Sequence, residues 1–301
     1  MFKVIKNTKL WFTISIILAV ASIVSLSVFG LKLGIDYKGG TEIQFKSADV
    51  NRMEVAKETL DSLSYNGYQI KESGQNEAII RLRYLTNDEH SKFVETIKQK
   101  LPDYSETQYD TVGPVIGAEL MQKSLWAVIL AALGIIIFIA FAFRRVPKPL
   151  SSWKFGVCAV IALLHDLLIV TGFVSIMGHF FIWMQADALF VTALLTIMGF
   201  SVHDTIVVYD RLRENSIKHP HDDIAKVAED SITQTMVRSI NTSMTTVIVL
   251  LSLLIFGSDS IKHFIAILVF GIIIGTYSSI FNAAPLLVVW QKKSMKNLSK
   301  R

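Results

Sequence analysis

The chain has 301 residues, of which 51% are hydrophobic and 18% are charged, and its formal net charge is +5. A soluble chain carries roughly 25% charged residues, so the composition excludes an ordinary soluble enzyme and an intrinsically disordered protein. The only cysteine, Cys158, lies inside an apolar block, which excludes a disulfide framework and a cysteine-based zinc site.

The apolar residues form six blocks of about twenty residues, long enough to cross a hydrocarbon core of roughly 30 Å. The predicted spans are Leu10–Phe29, Leu125–Phe143, Phe155–Met177, Ala188–Tyr209, Ile240–Phe256 and Phe264–Trp290. The first block follows three lysines and contains Ala19 and Ala21, as a cleavable signal peptide would. Because its apolar run continues as far as Phe29, we interpret it as an uncleaved membrane anchor.

The segment between the first and second spans, residues 30–123, is polar, with 12 basic and 15 acidic side chains. Its pattern predicts strands at 41–45, 68–71, 78–84 and 106–112 and helices at 50–63 and 86–101. Asn51 and either Thr86 or Asn87 are candidate helix caps, and a turn is predicted at Ser73–Asn76. The order β-α-β-β-α-β predicts a small ferredoxin-like α+β domain.

Basic residues flank the spans unevenly and indicate the topology. They lie between the second and third spans, between the fourth and fifth, and at the C-terminus: Arg144, Arg145, Lys148, Lys154; Arg211, Arg213, Lys218, Lys226; Lys292, Lys293, Lys296, Lys300 and Arg301. The positive-inside rule places these segments and both termini in the cytoplasm. We therefore predict a first membrane helix (1–29), an extracytoplasmic domain (30–123) and a five-helix remainder (124–301). Charge at span ends reflects topology, so nucleic-acid binding is not predicted.

Polar residues inside the spans point to function, because a charged side chain at membrane depth costs about 2.5–3.5 kcal/mol. The third span carries His165 and Asp166, and the fourth carries His203 and Asp204. On the fourth span Ser201, Asp204 and Thr205 share one polar face. The fifth span has a polar stripe made of Arg238, Asn241, Thr242 and Thr245. The two stripes predict a hydrated seam between neighbouring helices.

Structural roles stay open for most of these residues. Asp166 and His165 could only stabilise the bundle, His203 is favoured as a packing residue, and Arg238 can extend to the interface. Asp204 is too short to reach the interface, so it must be protonated or paired. Desolvation favours its neutral form and a nearby arginine its ionised form, which are the conditions for loading and unloading a proton.

Other chemistry has little support in the sequence. A solvated turn is favoured for His219–Asp223, although it contains metal-capable side chains. The motifs GxxxxGK[ST], HExxH and GxSxG do not occur, so we predict no enzyme, no cofactor and no metal site. Gly271, Gly275 and Ser279 form a ridge typical of helix packing.

Four motifs resemble those of the SecD/SecF protein-export family. GIDYKGGT at 34–41 resembles GxDFxGGT, and VGPVIGAEL at 112–120 resembles VGPxIGxEL. GFSVHDTIVVYDRLREN at 199–215 is similar to GYSVxDTIVVxDRIREN, and the segment 231–235 with Arg238 resembles the stretch that follows. The length and the single modest external domain fit the SecF branch, not SecD, whose external region is much larger, nor a fused SecDF.

This resemblance implies a subunit of the SecD–SecF complex, an accessory of the Sec translocon that is built like an RND-superfamily transporter, with this chain as one half. The complex resides in the bacterial plasma (cell inner) membrane and uses the proton-motive force to promote protein translocation. The implied partners are SecD, the SecYEG translocon with YajC and YidC as further candidates, the unfolded exported polypeptide, and protons. The proton-path Asp and Arg correspond to Asp204 and Arg238, whereas His203 stands where we expect Asn or another small polar residue.

The two motifs that bracket the external domain contain the junction residues Gly34, Asp36, Gly39, Gly40, Gly113, Pro114 and Gly117. Gly permits tight backbone approach or positive φ, and Pro fixes φ, so we expect these junctions to set the angle between domain and membrane. Two other functions stay open: half of an RND-type exporter of small molecules or lipids, and a non-catalytic assembly subunit of the translocon. Coupling to sodium instead of protons also stays open.

Overall fold

The computed structural model describes residues 3–72, 76–144, 151–181 and 183–298. The predicted turn residues Ser73–Gln75 and the basic residues Arg145, Lys148, Lys300 and Arg301 lie outside these ranges. In chain order the elements are α1 (Thr8–Val28), α2 (Ile35–Lys38), β1 (Gly40–Lys46), α3 (Arg52–Ser62), β2 (Gln69–Glu72), β3 (Glu77–Leu82), α4 (Asn87–Lys100), β4 (Ser105–Val112), α5 (Pro114–Ala142), α6 (Ser152–Phe180), α7 (Ala188–Lys218), α8 (Ile224–Phe256), α9 (Lys262–Ser278) and α10 (Ala284–Leu298).

The chain folds as two compact units. The first, which we call the membrane unit, comprises Met1–Lys32, Ala127–Gln185 and Leu189–Arg301, and the second comprises Leu33–Trp126 and Ala186–Ala188. Within the described residues, six helical spans are long and apolar enough to cross a membrane: α1, α5, α6, α7, α8 and the continuous last span formed by α9 and α10. The six predicted spans are thereby confirmed.

The predicted start of the fifth span is wrong, because α8 begins at Ile224 and not at Ile240. Its first four turns are amphipathic and bury a face that includes Val227, Ala228 and Ile232. A hydropathy window detects only the apolar part of a helix, whereas backbone hydrogen bonding continues through an amphipathic part. The Asp223 side chain caps this longer helix by accepting the Ala225 N–H.

Small residues allow the membrane helices to approach closely. A Cβ on Gly271 of α9 would lie 2.1 Å from Ile197 of α7, and one on Gly275 would lie 3.1 Å from Ser201 Cβ. A Cβ on Gly172 of α6 would lie 2.3 Å from Ser22 of α1. The predicted ridge on the last span therefore packs against α7. A π-helical segment, Ser279–Ala283, joins α9 to α10 without interrupting the span.

The second unit contains a four-stranded antiparallel sheet of order β2-β3-β1-β4 within the described residues. The predicted order of strands and helices is confirmed, and this sheet order is that of the ferredoxin-like fold. Burial alternates along β3, and Ile43 and Phe45 of β1 pack with Ile80 of β3 and Phe93 of α4 in a buried core. Two side chains, Thr86 and Glu89, form a capping box at the start of α4.

The N-terminus of α3 differs in detail from the prediction. Asn51 is the N-cap residue, but its side chain makes no capping hydrogen bond. Instead, the Asp49 carboxylate accepts the Asn51 N–H at 2.7 Å. The sequence pattern identified the cap position, but it did not identify the side chain that satisfies the backbone there.

Candidate functional site

Asp204 lies in the middle part of α7 with 6% of its surface exposed. Its Oδ2 atom is 3.3 Å from the Thr276 hydroxyl of α9 and 3.4 Å from the Ser243 hydroxyl of α8. Both distances are long for O–H···O hydrogen bonds, which are usually 2.5–3.0 Å. The two hydroxyls also hydrogen-bond to each other, so neither is committed to the carboxylate alone.

Arg238 lies on α8 with an exposed side chain, and among the described residues no ion pair joins it to Asp204. The rest of its predicted stripe, Asn241, Thr242 and Thr245, is exposed as well. A different stripe of α8 is buried: Thr235, Ser239 and Ser243, spaced four residues apart. The polar seam within the membrane unit therefore uses this second stripe, and the interpretation that Arg238 heads the seam facing α7 is corrected.

The reason for this correction is geometric. An α-helix advances about 100° per residue, so two polar stripes one residue apart both satisfy a helical pattern. The pattern does not identify which stripe faces a neighbouring helix. His203 is also exposed, so its packing role stays a prediction.

Asp166, on α6, is the second intramembrane carboxylate and is fully buried. Ser201 and Ser278 both donate to its Oδ2 at 2.6 Å, and His165 Nδ1 lies 3.0 Å from its Oδ1. The network extends from His165 Nε2 to the Asn282 amide at 3.4 Å, and Ser15 of α1 donates to Asn282 Oδ1 at 2.8 Å. Four spans thus contribute to one connected set of hydrogen bonds.

The two carboxylates differ in how firmly they are held. Asp166 has three partners at distances of 3.0 Å or less, whereas Asp204 has two partners beyond 3.2 Å. Ser201, predicted to share a site with Asp204, belongs to the Asp166 network, and Thr205 pairs with Ser279 at 2.9 Å. A firmly held carboxylate suits a structural role, and a loosely held one suits a group that changes state.

Sequence reasoning missed several partners of these carboxylates. Ser243, Thr276, Ser278 and Asn282 lie in apolar spans, where a hydroxyl can bond to its own backbone and is therefore inconspicuous. Of these four residues, only Asn282 could have been identified from the sequence, because a side-chain amide inside a membrane span needs a hydrogen-bond partner, much as a charged group does.

The junction motifs form a second cluster, within the second unit. Gly39 has φ +72° and ψ 157°, and Gly40 has φ +143°, which are conformations that L-residues rarely adopt. A Cβ on Gly39 would lie 2.8 Å from Pro114 Cα, and a Cβ on Gly117 would lie 3.0 Å from Gly39 N. The entry and exit motifs, which are about seventy residues apart in sequence, therefore pack backbone against backbone.

A third segment that the sequence did not indicate completes this cluster. The Asp36 carboxylate accepts the Ala188 N–H at 2.9 Å, and the Gly34 N–H donates to Ala186 O at 2.9 Å. The Tyr37 hydroxyl donates to Asp187 O at 3.0 Å, and the Ser124 hydroxyl lies 3.0 Å from the same Tyr37 oxygen, which can accept its hydrogen. Burial raises the pKa of Asp36, and the hydrogen bond from Ala188 partly offsets this. The Gly113 carbonyl accepts the Gly117 N–H in the first turn of α5.

Six apolar spans, an intramembrane polar seam and one small ferredoxin-like unit define a polytopic α-helical membrane protein. The sequence profile described as "Protein export membrane protein SecD/SecF, C-terminal" matches residues 92–293, and that of the "SecD/SecF GG Motif" matches residues 24–48. The chain belongs to the SecD/SecF protein-export family.

Relatives match over the whole chain. The chain is 40% identical over 313 residues to the Protein translocase subunit SecF of Thermobaculum terrenum, covering 100% of this chain and 98% of that relative. It is 40% identical over 305 residues to the subunit of the same name from Anaerolinea thermophila, again covering 100% and 98%. The match to the Protein translocase subunit SecDF of Bacillus subtilis is 33% identical and covers 96% of this chain and 38% of the longer relative.

A solved structure shows the same architecture. The crystal structure of SecDF, a translocon-associated membrane protein from Thermus thermophilus, superposes with a TM-score of 0.84 at 29% identity. The match covers 97% of this chain and 39% of that longer chain. SecDF in a super-membrane-facing form superposes with a TM-score of 0.71 at 28% identity.

Proposed function

We propose that this chain is the SecF-type subunit of a SecD–SecF complex that assists protein translocation across the bacterial plasma membrane. The full-length similarity to translocase subunits named SecF and SecDF supports this proposal. The observation that carries the mechanism is the loosely held Asp204 carboxylate, buried in the membrane unit among hydroxyls of α8 and α9. We assign Asp204 the role of proton carrier and Arg238 the role of resetting it.

The exposed polar stripe on α8 supports a partner of the SecD type. A stripe of polar side chains is unfavourable in contact with lipid, so a partner membrane unit is expected to cover it. In the assembled complex, approach of the guanidinium to Asp204 favours release of the proton, and separation favours uptake. SecYEG, YajC and YidC are further partners of this proposal, with both termini of the chain in the cytoplasm.

The available energy limits what such a cycle can do. One proton crossing about 100 mV supplies roughly 2.3 kcal/mol, whereas a folded domain is stable by about 5–15 kcal/mol. The cycle therefore biases the movement of an already unfolded chain and does not unfold a cargo domain.

We assign the second unit the role of contacting unfolded polypeptide outside the membrane. It offers two sheet edges, β2 and β4, to which an extended chain can add as a further strand. Photo-crosslinkers at Tyr68 and Tyr84 test this contact with a stalled export substrate. Failure to crosslink from these and all other surface positions would leave the unit a purely structural role.

Export into membrane vesicles, with and without a proton gradient, tests the proton-carrier role. Asp204→Asn cannot ionise, so we expect it to abolish the response to the gradient while insertion and co-purification with the SecD-type partner persist. The matched control is Asp210→Asn, at an exposed position of the same helix that pairs with Arg213. A wild-type gradient response in Asp204→Asn would show that the residue is only structural.

A further inference from the structure

A groove of about 690 Å³ opens in the membrane unit where the start of α1 meets α8 and α10. Residues 5–10 and Phe12 form one side, and Ala225, Val288, Val289 and Lys292 form the other. The volume falls within the roughly 300–1,000 Å³ typical of small-molecule sites. The groove shares no residue with the Asp204 and Asp166 clusters.

The rim of the groove is cationic. Lys6 and Lys9 are exposed, and neither forms an ion pair with any described residue. Lys292 pairs with Asp223 at 2.8 Å, but both side chains are about half exposed, and ion pairs at such positions are weak. The residues that line the groove include three lysines and no acidic side chain, and within the described residues only Lys292 of the three pairs with a carboxylate, Asp223, at the edge of the groove.

The wall of the groove is apolar and continues into the face that α1 presents to the bilayer. Leu10 is 54% exposed and Val289 is 46% exposed, and both line the groove. Farther along α1, Ile16, Ile17 and Val20 are exposed as well. A ligand with one anionic end and one hydrocarbon end matches this arrangement, because the anionic end can contact the lysines of the rim and the hydrocarbon end can contact the apolar wall.

The groove is held open by a fixed N-terminal segment. The Glu229 carboxylate of α8 accepts the Val4 N–H at 2.6 Å and the Ile5 N–H at 2.8 Å. Val4 is fully buried in the core of the membrane unit. These contacts fix the backbone immediately before Lys6, so the position of the cationic rim is set before any ligand arrives.

We propose that this groove binds an anionic phospholipid, with its phosphate headgroup at Lys6, Lys9 and Lys292 and an acyl chain along Leu10 and Val289. A free phosphate ion would leave the apolar wall uncovered, and a zwitterionic lipid would place an ammonium group near three lysines. A basic residue near an anionic headgroup contributes about fivefold in affinity.

The experiment is native mass spectrometry of the full-length chain in detergent, titrated with phosphatidylglycerol or phosphatidylcholine. We expect the wild type to retain phosphatidylglycerol in preference to phosphatidylcholine. The Lys6→Ala, Lys9→Ala double variant should bind phosphatidylglycerol about thirtyfold more weakly. The matched control is Lys293→Ala, an exposed lysine that does not line the groove, and it should bind as the wild type does.

A second variant tests the apolar wall with the charges intact. Val289→Trp fills the groove, so it should also lose phosphatidylglycerol, while an unchanged thermal unfolding curve shows that the fold persists. Equal retention of the two lipids by the wild type would overturn the proposal. So would displacement of the lipid by inorganic phosphate alone, or a loss in Lys293→Ala as large as that in the double variant.

Discussion

Substitution of Gly39 by alanine tests whether the junction of the second unit depends on backbone contact. The φ and ψ of Gly39 lie in a region essentially restricted to glycine, where another residue costs about 1–3 kcal/mol. The added Cβ would also lie 2.8 Å from Pro114 Cα and 3.2 Å from Val112 O, both backbone atoms that cannot rotate away. Overpacking of this kind costs about 1–3 kcal/mol. Gly39→Ala should therefore destabilise the second unit by about 2–6 kcal/mol.

Two further glycines provide matched controls. Gly67 has φ +75° but no atom within 4 Å of an added Cβ, so Gly67→Ala should cost about 1–2 kcal/mol from strain alone. Gly134 lies within α5 with open space around it, and Gly134→Ala should stabilise by up to about 1 kcal/mol. The assay is a urea titration of the full-length chain in detergent, with brief proteolysis of the unfolded fraction. A cost for Gly39→Ala no greater than that for Gly67→Ala would refute the contact argument.

Three other outcomes are expected. Asp166→Asn should lower the free energy of unfolding by about 1–3 kcal/mol in thermal scans, because it disturbs three short hydrogen bonds. Asp204→Asn should lower it by less. If Asp204→Asn proved the more destabilising of the two, the roles assigned to the two carboxylates would be exchanged. Hydrogen bonds from the Arg83 side chain and the Thr86 N–H lower the pKa of Glu89 from 4.5 to about 2. The ionised Glu89 therefore stabilises the folded second unit above about pH 4.5, and this contribution is lost as the pH falls towards 2. Glu89→Gln should therefore flatten the loss of stability between about pH 5 and pH 2, and Glu95→Gln, exposed on the same helix, should leave the acid profile as it is in the wild type. An alkaline phosphatase fusion at the start of α4 should be active, and an inactive fusion would contradict the predicted topology.

The elements that the sequence predicted correctly are those with a strong local period. The six spans and the β-α-β-β-α-β order depend on hydrophobic spacing, which a chain carries without reference to its neighbours. The start of α8 was misplaced because residues 224–239 are helical but not apolar. Hydropathy reports which residues tolerate lipid and gives no information on where backbone hydrogen bonding ends.

The candidate site was predicted less completely, because its partners are set by packing between spans. Asp204 and Asp166 could be identified from the sequence, because a carboxylate inside a membrane span is energetically unfavourable unless it has a partner or a function. Their hydroxyl partners come from three other helices, and no local pattern links Ser278 to Asp166. Likewise, the segment 186–188 joins the junction motifs through backbone groups, which every residue possesses.

The π-helical segment at 279–283 affects how the last span aligns its two halves. A π turn accommodates one extra residue in a continuous helix, so every side chain beyond it is rotated by about 100° relative to an uninterrupted α-helix. Before the π turn, the helix orients Thr276 towards Asp204. After the turn, the helix orients Leu287 into the core of the membrane unit. An ordinary α-helix of the same sequence could satisfy one of these alignments but not both. The single extra residue thus lets one helix present side chains to two surfaces that a regular α-helix of this sequence would not align with at the same time. Deleting one residue from this turn should convert it to a regular α-helix and preserve both contacts, whereas regular α-helical geometry with all residues kept would lose one of them.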